Sequence, residues 1–502
     1  MNRWRRALQE WVSNSPEHRA IKDDHFDLTW KEVERALQDL STIPLDWSEP
    51  LVIAGQRNSH TILAIWWTLI NDGVGLNLER QQLATMLPRL VSTLTSHNLL
   101  LHEVDLKGFE TILRDLGYDL GQMTVLDVFE PDPLLGHIVV LPYKTPISVQ
   151  RCPSECGWIL MTSGSTMAPK LVMIDRQDLV ARADAEIRDF EIVKEDAILN
   201  VLPTSHDVGF NQVLSWILSG SRLVVQAHPS TDRFRNNLLN EKVTGVSGTP
   251  MMWLNFLNKV SAGERFLGVR YCAVSGGALS LQDLDGLRAR FRNATVFRTY
   301  GQTETFRSLM AKDPPGSELR ATHGRPILDV RLKLLDDSGL EVGIGQEGEL
   351  SHEGVGGMLG YFPSPLKWRE VRTGDYFRCD DAGQFTYLGR RDDLIKRWEI
   401  RMHLSEVEEA LRGFPGVLQV CVIHRKVEDS RQNALAAFLV IAEQNVAGSE
   451  SSENEVLEYC KRVLSPSKVP DRIFFEASLP ETASRKVDRN VLREKWESAD
   501  GE

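Results

Sequence analysis

Apolar runs of strand length alternate with amphipathic stretches through most of this chain. Leu51–Gln56 (LVIAGQ) has the length and continuity of a buried strand. Ser59–Gly73 (SHTILAIWWTLINDG) is apolar on nearly every side and predicts a buried helix that stops at glycine. From Cys156 the alternation becomes regular. Strand-like Trp158–Met161 (WILM) and Leu171–Ile174 (LVMI) flank a loop, and helix-like Arg176–Phe190 follows. Strand-like Ala197–Pro203, helix-like Phe210–Gly220 and strand-like Arg222–Gln226 come next. Tyr271–Gly277, helix-like Leu281–Phe291 and strand-like Ala294–Gly301 complete the series. Strand, helix, strand in repetition predicts an α/β fold of largely parallel, helix-covered sheets, whose ligands bind beyond the carboxyl ends of the strands.

The rhythm breaks twice. Residues 324–388 are rich in glycine and short strands, which predicts a small β-rich subdomain. After Gly389–Lys396 (GRRDDLIK) the pattern becomes that of a compact α+β unit of ordinary domain size. Its first helix, Ser405–Phe414, has a capping box in Ser405 and Glu408. Strands Leu418–Lys426 and Asn433–Ala442, helix Asn454–Leu464 and strand Arg472–Ala477 follow, with Glu443–Glu455 as an exposed loop. The expected organisation is a large domain over 1–391 and a small mobile domain over 392–502.

Composition narrows the function without naming it. The chain has 502 residues, 42% hydrophobic and 25% charged, and a formal net charge of −12. That balance argues against nucleic acid as a partner. The apolar run Ile62–Ile70 is too short to span a bilayer, and the basic, amphipathic start lacks the apolar core of a secretory signal. Six scattered cysteines predict free thiols in a reducing, cytoplasmic setting, without a disulfide framework.

Candidate chemistry starts at the loop Thr162–Lys170. It is not G-x-x-x-x-G-K-[ST], yet Gly164 lets successive N–H groups converge, Ser163, Ser165 and Thr166 offer hydroxyls, and Lys170 adds charge. Such a turn suits phosphate, although an ordinary polar turn has the same composition. Four further strings follow in order: Ser275–Ser280 (SGGALS), Tyr300–Thr305 (YGQTET), Thr373–Asp375 (TGD) leading to Gly389–Lys396, and Pro480–Arg489 (PETASRKVDR). Together they resemble the adenylate-forming superfamily of acyl-CoA synthetases, aryl acid ligases, luciferases and nonribosomal peptide synthetase adenylation domains. The resemblance runs from about Phe26 to Arg493.

That resemblance implies activation of a carboxylic acid by ATP, giving acyl-AMP and pyrophosphate, then transfer to a phosphopantetheine thiol. It implies that Thr162–Lys170 holds the β- and γ-phosphates, Thr303 reaches the α-phosphate and Glu304 ligates Mg2+. Tyr300 stacks on adenine, with Gly301 beside it and Gly276, Gly277 and Ala278 as the pocket wall. Asp375 accepts the ribose hydroxyls, Arg390 braces the sugar, and the catalytic Lys486 bridges carboxylate and α-phosphate. The last domain swings about a hinge at Asp392. Positioned cations and donors suit a reaction in which an anion attacks an anion. Three positions depart from the family pattern, which has glycine in place of Met167, Glu399 and Arg485. The resemblance implies that the Glu399 position lies beside the thiol tunnel, where the departure bears on the thioester step.

The acid is read from Leu202–Gly220. By resemblance His206, Asp207, Asn211, Ser247, Ala273, Ser275 and Thr299 line the acyl pocket. Asp207 matches the aspartate that pairs with a substrate ammonium in amino-acid-activating relatives. The string HDVG equally matches fatty-acyl relatives, in which His206 walls the pocket. Arg307 could clamp a second carboxylate or face solvent or ribose. The set is small and polar, which points to a small polar or amino acid loaded in trans on a separate carrier protein by a stand-alone enzyme. The alternatives are a fatty or aryl acyl-CoA synthetase using coenzyme A, and a non-catalytic relative that binds nucleotide or carrier protein. A tRNA synthetase lacks support, since neither HIGH nor KMSKS occurs.

Overall fold

In a computed structural model of the protein, the residues described are 2–94, 96–126, 138–144, 152–162, 170–228, 230–319, 322–327, 329–365, 370–397, 400–426, 433–441, 449–480 and 487–499. They divide into two compact units, Met1–Arg331 with His352–Val371, and Leu332–Ser351 with Arg372–Glu502.

The first unit is built on two nine-stranded sheets. One has five neighbouring parallel pairings, through strands Arg19–Lys22, Arg222–Val225, Ala197–Asn200, Gly245–Gly248, Tyr271–Val274 and Thr295–Tyr300. The antiparallel strands Leu309–Asp313 and Arg325–Pro326 close one edge. The other has a parallel centre, Ser96–His102, Leu51–Gly55, Gly75–Glu79 and Cys156–Thr162, with Lys170–Asp175 and Gly360–Tyr361 added antiparallel. These central strands read as unbroken apolar runs because both faces are covered. Helix Arg176–Asp189 packs on the second sheet and on helix Asp207–Ser219, which packs in turn on the first. The core between them is aromatic. Trp158 stacks on Phe210 at 4.6 Å and Trp30 on Trp216 at 5.7 Å.

Helix Ser59–Ile70 forms as its pattern predicts and every residue in it is buried. The Asn58 side chain caps it, accepting from the Thr61 N–H at 3.0 Å. Its left-handed stop is Asp72 (φ 54°), one residue before the expected glycine.

Strands Val330–Leu335, Glu347–Gly354, Glu370–Cys379 and Phe385–Arg390 form a four-stranded sheet in that order, most of it in the second unit. The C-terminal portion carries a three-stranded sheet of Val417–Lys426, Asn433–Ile441 and Arg472–Phe475. Helix Leu404–Arg412 packs on its first strand. The β-rich stretch expected over 324–388 is thus shared. Arg325–Pro326 and Gly360–Tyr361 join sheets of the first unit, and the intervening strands form the second unit's own sheet. The 391/392 boundary falls in a 3-10 turn, Arg391–Asp393, within the second unit.

One cap differs from expectation. Helix Leu404–Arg412 is capped by His403, whose N–H donates to Glu406 at 2.9 Å. Ser405 instead donates its hydroxyl to the Leu388 carbonyl, and Glu408 accepts from Val422 N–H and from Arg489. Both side chains find partners elsewhere in the fold, so neither serves the capping box.

Candidate functional site

Three adjacent parallel strands end at one place in the first unit. Ser247 lies opposite Ala273, and Ala273 opposite Phe297. Just past them, the Ser275 and Thr299 hydroxyls share a hydrogen bond of 2.6 Å, and the Ser275 N–H donates to the Gly248 carbonyl at 3.0 Å. Ser247, Ala273, Ser275 and Thr299 are all buried. The chain then turns outward at Gly276, Gly277 and Ala278, which are exposed. Gly276 holds φ +81° with no atom within 4 Å of its would-be Cβ, so dihedral freedom and not crowding selects glycine there.

Strand Thr295–Tyr300 runs into a tight turn that carries Thr303 and Glu304. Thr305 N–H donates to the Gln302 carbonyl at 2.9 Å, and Ser308 N–H to the Tyr300 carbonyl at 2.8 Å. A Cβ at Gly301 would lie 1.7 Å from the Phe306 carbonyl oxygen, so the turn closes only over glycine. Tyr300 is half-buried and meets the His323 ring edge-on at 6.5 Å.

Two residues outside the recognised motifs fasten this turn. Arg182, buried in helix Arg176–Asp189, donates to the carbonyls of Thr305, Arg307 (3.3 Å) and Val355 (2.9 Å). Burial pushes its pKa down to about 9, opposed by Asp178, so it stays charged at neutral pH. Tyr361 donates its hydroxyl to Glu304 Oε1 at 2.8 Å. Lys170 Nζ lies 4.9 Å from the centre of the same ring. Lys170 is the register partner of Thr162, so the two strands are paired up to the two ends of the candidate loop. Ser163, Gly164, Ser165, Thr166 and Met167 lie outside the described residues.

The acyl-pocket candidates on Asp207–Ser219 join a chain of buried polar groups. Asn211 donates to Glu186, and Arg307 donates to the same carboxylate at 2.9 Å. Arg307 also lies 4.0 Å from Asp189 and over the Phe190 ring at 4.7 Å. Its side chain is 12% exposed and that of Glu186 is 3% exposed. Burial raises the Glu186 pKa, and Arg307 and Asn211 oppose the shift. Arg307 is therefore turned inward and charge-compensated, an environment unlike the solvent-facing expectation. A second substrate carboxylate would compete with Glu186 for it. Asp207 opens its helix, where the positive end of the helix dipole favours an anion, and its charge acts on Arg182. His206 occupies the preceding cap position.

Helix Arg176–Asp189 held the signal for this network. Asp178, Arg182 and Glu186 recur every fourth residue and so share one face. Such a stripe normally reads as solvated; here all three are buried.

In the second unit, Asp375 and Arg390 are register partners on neighbouring strands, with Arg390 Nε 3.4 Å from Asp375 Oδ1. Asp375 is buried and held at a turn. Its N–H donates to the Thr373 hydroxyl at 3.1 Å, and Gly374 N–H donates to Glu349 at 3.1 Å. Glu349 also receives Arg372 and Arg391. It shapes the turn without belonging to the TGD string. Asp392 lies in the 3-10 turn noted above. Lys486, Arg485 and Glu399 lie outside the described residues.

Among the described residues no group of three His, Cys, Asp or Glu could hold a metal ion by itself. A single carboxylate such as Glu304 nevertheless fits Mg2+, which is often bound by one or two carboxylates with substrate phosphates and water completing its shell. No described helix is long and apolar enough to cross a membrane.

Residues 85–362 match a sequence model described as AMP-binding enzyme, and residues 406–486 one described as AMP-binding enzyme C-terminal domain. Zwittermicin A synthase ZmaJ of Bacillus cereus is 25% identical, over 97% of this chain and 94% of its own length. A linear gramicidin synthase of Brevibacillus parabrevis is 31% identical over 67% of this chain, a match that spans 4% of that protein. Benzoate–CoA ligase of Thauera aromatica is 28% identical over 68% of this chain and 66% of its length. Among solved structures, O-succinylbenzoate coenzyme A synthetase of Bacillus subtilis, in complex with ATP and magnesium ion, superposes with a TM-score of 0.77. It covers 97% of this chain and 99% of that one at 21% identity, which speaks to the fold.

Proposed function

The chain belongs to the AMP-binding enzymes, the adenylate-forming ligases, and on that premise we propose that it joins a small polar or amino acid to AMP and passes the acyl group to a phosphopantetheine thiol, most suitably on a carrier protein. In the first step a substrate carboxylate oxygen attacks the α-phosphorus of ATP. The bond to pyrophosphate breaks, and acyl-AMP and pyrophosphate result. In the second, the thiol displaces AMP and a thioester forms.

The observation that carries the reading is the gathering of Ser247, Ala273, Ser275, Thr299, Tyr300 and Glu304 at the carboxyl ends of three adjacent parallel strands. Ligands of open α/β sheets bind at such ends. In this reading Lys170 and the loop before it hold the terminal phosphates, Thr303 steadies the α-phosphate, and Asp375 and Arg390 hold the ribose. Mg2+, held by Glu304 and phosphate oxygens, would screen the negative charge that repels the incoming carboxylate. Lys486 offers a cation to carboxylate and α-phosphate together. The last domain, from Asp392, then swings to admit the thiol.

A polar acid is favoured because Asn211 and Arg307 tie into a buried ionic network, where a long alkyl chain finds little apolar wall. The second reading, a fatty or aryl acid loaded on coenzyme A, draws on the HDVG string at His206–Gly209.

Exchange of labelled pyrophosphate into ATP, over a panel of amino, dicarboxylic, aryl and fatty acids, tests both. Polar or amino acids should support the fastest exchange; fastest exchange with a fatty acid overturns the substrate reading. No exchange with any acid would favour a binding protein over an enzyme. Lys486→Ala should abolish exchange yet still transfer acyl groups from supplied acyl-AMP. Exchange at wild-type rate removes the role given to that lysine.

A further inference from the structure

We propose that Tyr361 is a positioning residue for the phosphate site, orienting the Glu304 carboxylate toward a divalent cation and seating Lys170 beside it. The inference rests on the reading of Glu304 and Lys170 as the metal- and phosphate-facing groups.

The backbone brings the three residues together. Gly360–Tyr361 pairs antiparallel with Lys170–Asp175, and Tyr361 lies opposite Val172. Lys170 is two residues before Val172 on that strand and so points to the same face. Leu359 N–H donates to the Met173 carbonyl and Phe362 N–H to the Leu171 carbonyl, each at 2.8 Å. Met358 N–H donates to the carbonyl of Glu304 itself at 2.9 Å. The short segment Met358–Phe362 therefore laces the strand that presents Lys170 to the turn that presents Glu304.

The side chain completes the lacing. The Tyr361 hydroxyl donates to Glu304 Oε1 at 2.8 Å, and Lys170 Nζ sits over the ring at 4.9 Å. Among the described residues Glu304 Oε2 accepts no hydrogen bond. A carboxylate anchored through one oxygen keeps one orientation and offers the other to a metal, as outer partners of metal ligands commonly arrange. The ring face separately attracts the ammonium, through its quadrupole.

The two contacts separate by substitution. Tyr361→Phe keeps the ring and deletes the hydroxyl; Tyr361→Leu deletes both. The full-length chain is titrated with Mg2+ while binding of a fluorescent ATP analogue is followed, which needs no turnover. For Tyr361→Phe the Mg2+ midpoint should rise about 10- to 100-fold, with nucleotide affinity at saturating Mg2+ near wild type. Tyr361→Leu should show the same rise and a further loss of about threefold in nucleotide affinity. A wild-type Mg2+ midpoint in Tyr361→Phe overturns the proposal. So does a loss of affinity that is equal at every Mg2+ concentration, the mark of a merely structural role.

A second measurement guards against misfolding. Difluorotyrosine at position 361 alters donor strength at nearly constant size and should also shift the Mg2+ midpoint; an unchanged midpoint overturns the proposal. If wild-type protein binds the nucleotide with no Mg2+ dependence, the reading of Glu304 fails first. If wild type shows the dependence and Tyr361→Phe matches it, only the role of Tyr361 fails.

Discussion

At the scale of single residues, buried histidines of the first unit are held away from water. His352 is fully buried behind the Glu304 turn, with Nδ1 against the Ser308 hydroxyl at 2.9 Å. Burial, with help from Arg182, pulls its pKa down to about 4. His97, against the Tyr118 hydroxyl at 2.6 Å, is pulled to about 4 by burial as well. A depressed histidine pKa means that the unfolded chain takes up the proton first as pH falls. The stability each neutral ring contributes is complete above about pH 6.5 and is lost as pH falls toward 4, roughly 3 kcal/mol per group. Urea unfolding of the first unit at stepped pH should show this slope. Replacing His352 with Gln should reduce the slope near pH 5 by close to one proton. An unchanged slope would assign the acid sensitivity to other groups.

At the scale of elements, the strands were legible because burial on both faces leaves continuous apolar runs, and helices such as Ser59–Ile70 because their length exceeds a strand's. The cap of helix Leu404–Arg412 was not. Ser405 and Glu408 have the right chemistry and spacing, but the fold claims both for other strands, and His403 with Glu406 takes the cap. The motif residues Thr303, Glu304, Thr373 and Asp375 were legible as strings. Arg182, Tyr361 and Glu349 were not, because each acts on a motif distant in sequence. Arg182 reaches Thr305 across 123 positions, and Tyr361 reaches Glu304 across 57. The helix Arg176–Asp189 thus serves as a strut for the Glu304 turn. Arg182→Met should leave three carbonyls and Asp178 without their cation and cost about 3–5 kcal/mol. It should also weaken ATP binding, because the turn loses its support. Calorimetric binding and urea midpoints check both; a variant as stable and as tight-binding as wild type refutes the strut.

At the scale of the whole molecule, the net charge of −12 and the α/β rhythm restricted the class, and the ordered strings identified the family. What the chain's own composition could not supply was the acid, since the HDVG string and Asp207 point in two directions; the buried network around Glu186 is what the proposal of a polar acid draws on. The proposed swing about Asp392 belongs to this scale too. Asp392→Pro fixes φ near −65° in the 3-10 turn Arg391–Asp393. It should spare one half-reaction and slow the other by at least about tenfold. Pyrophosphate exchange and thioester formation, assayed separately, distinguish that result from a uniform loss, which would mean the turn is not a pivot. The Glu186–Arg307 pair has a consequence for any change of diet this enzyme undergoes. Because each charge neutralises the other in the interior, a lone exchange at either position strands an ion away from water. With Arg307 at the acyl pocket as proposed, a change of acid through it is expected to need a matching change at Glu186. A library that randomises the two codons jointly should hold folded members that one-at-a-time libraries lack.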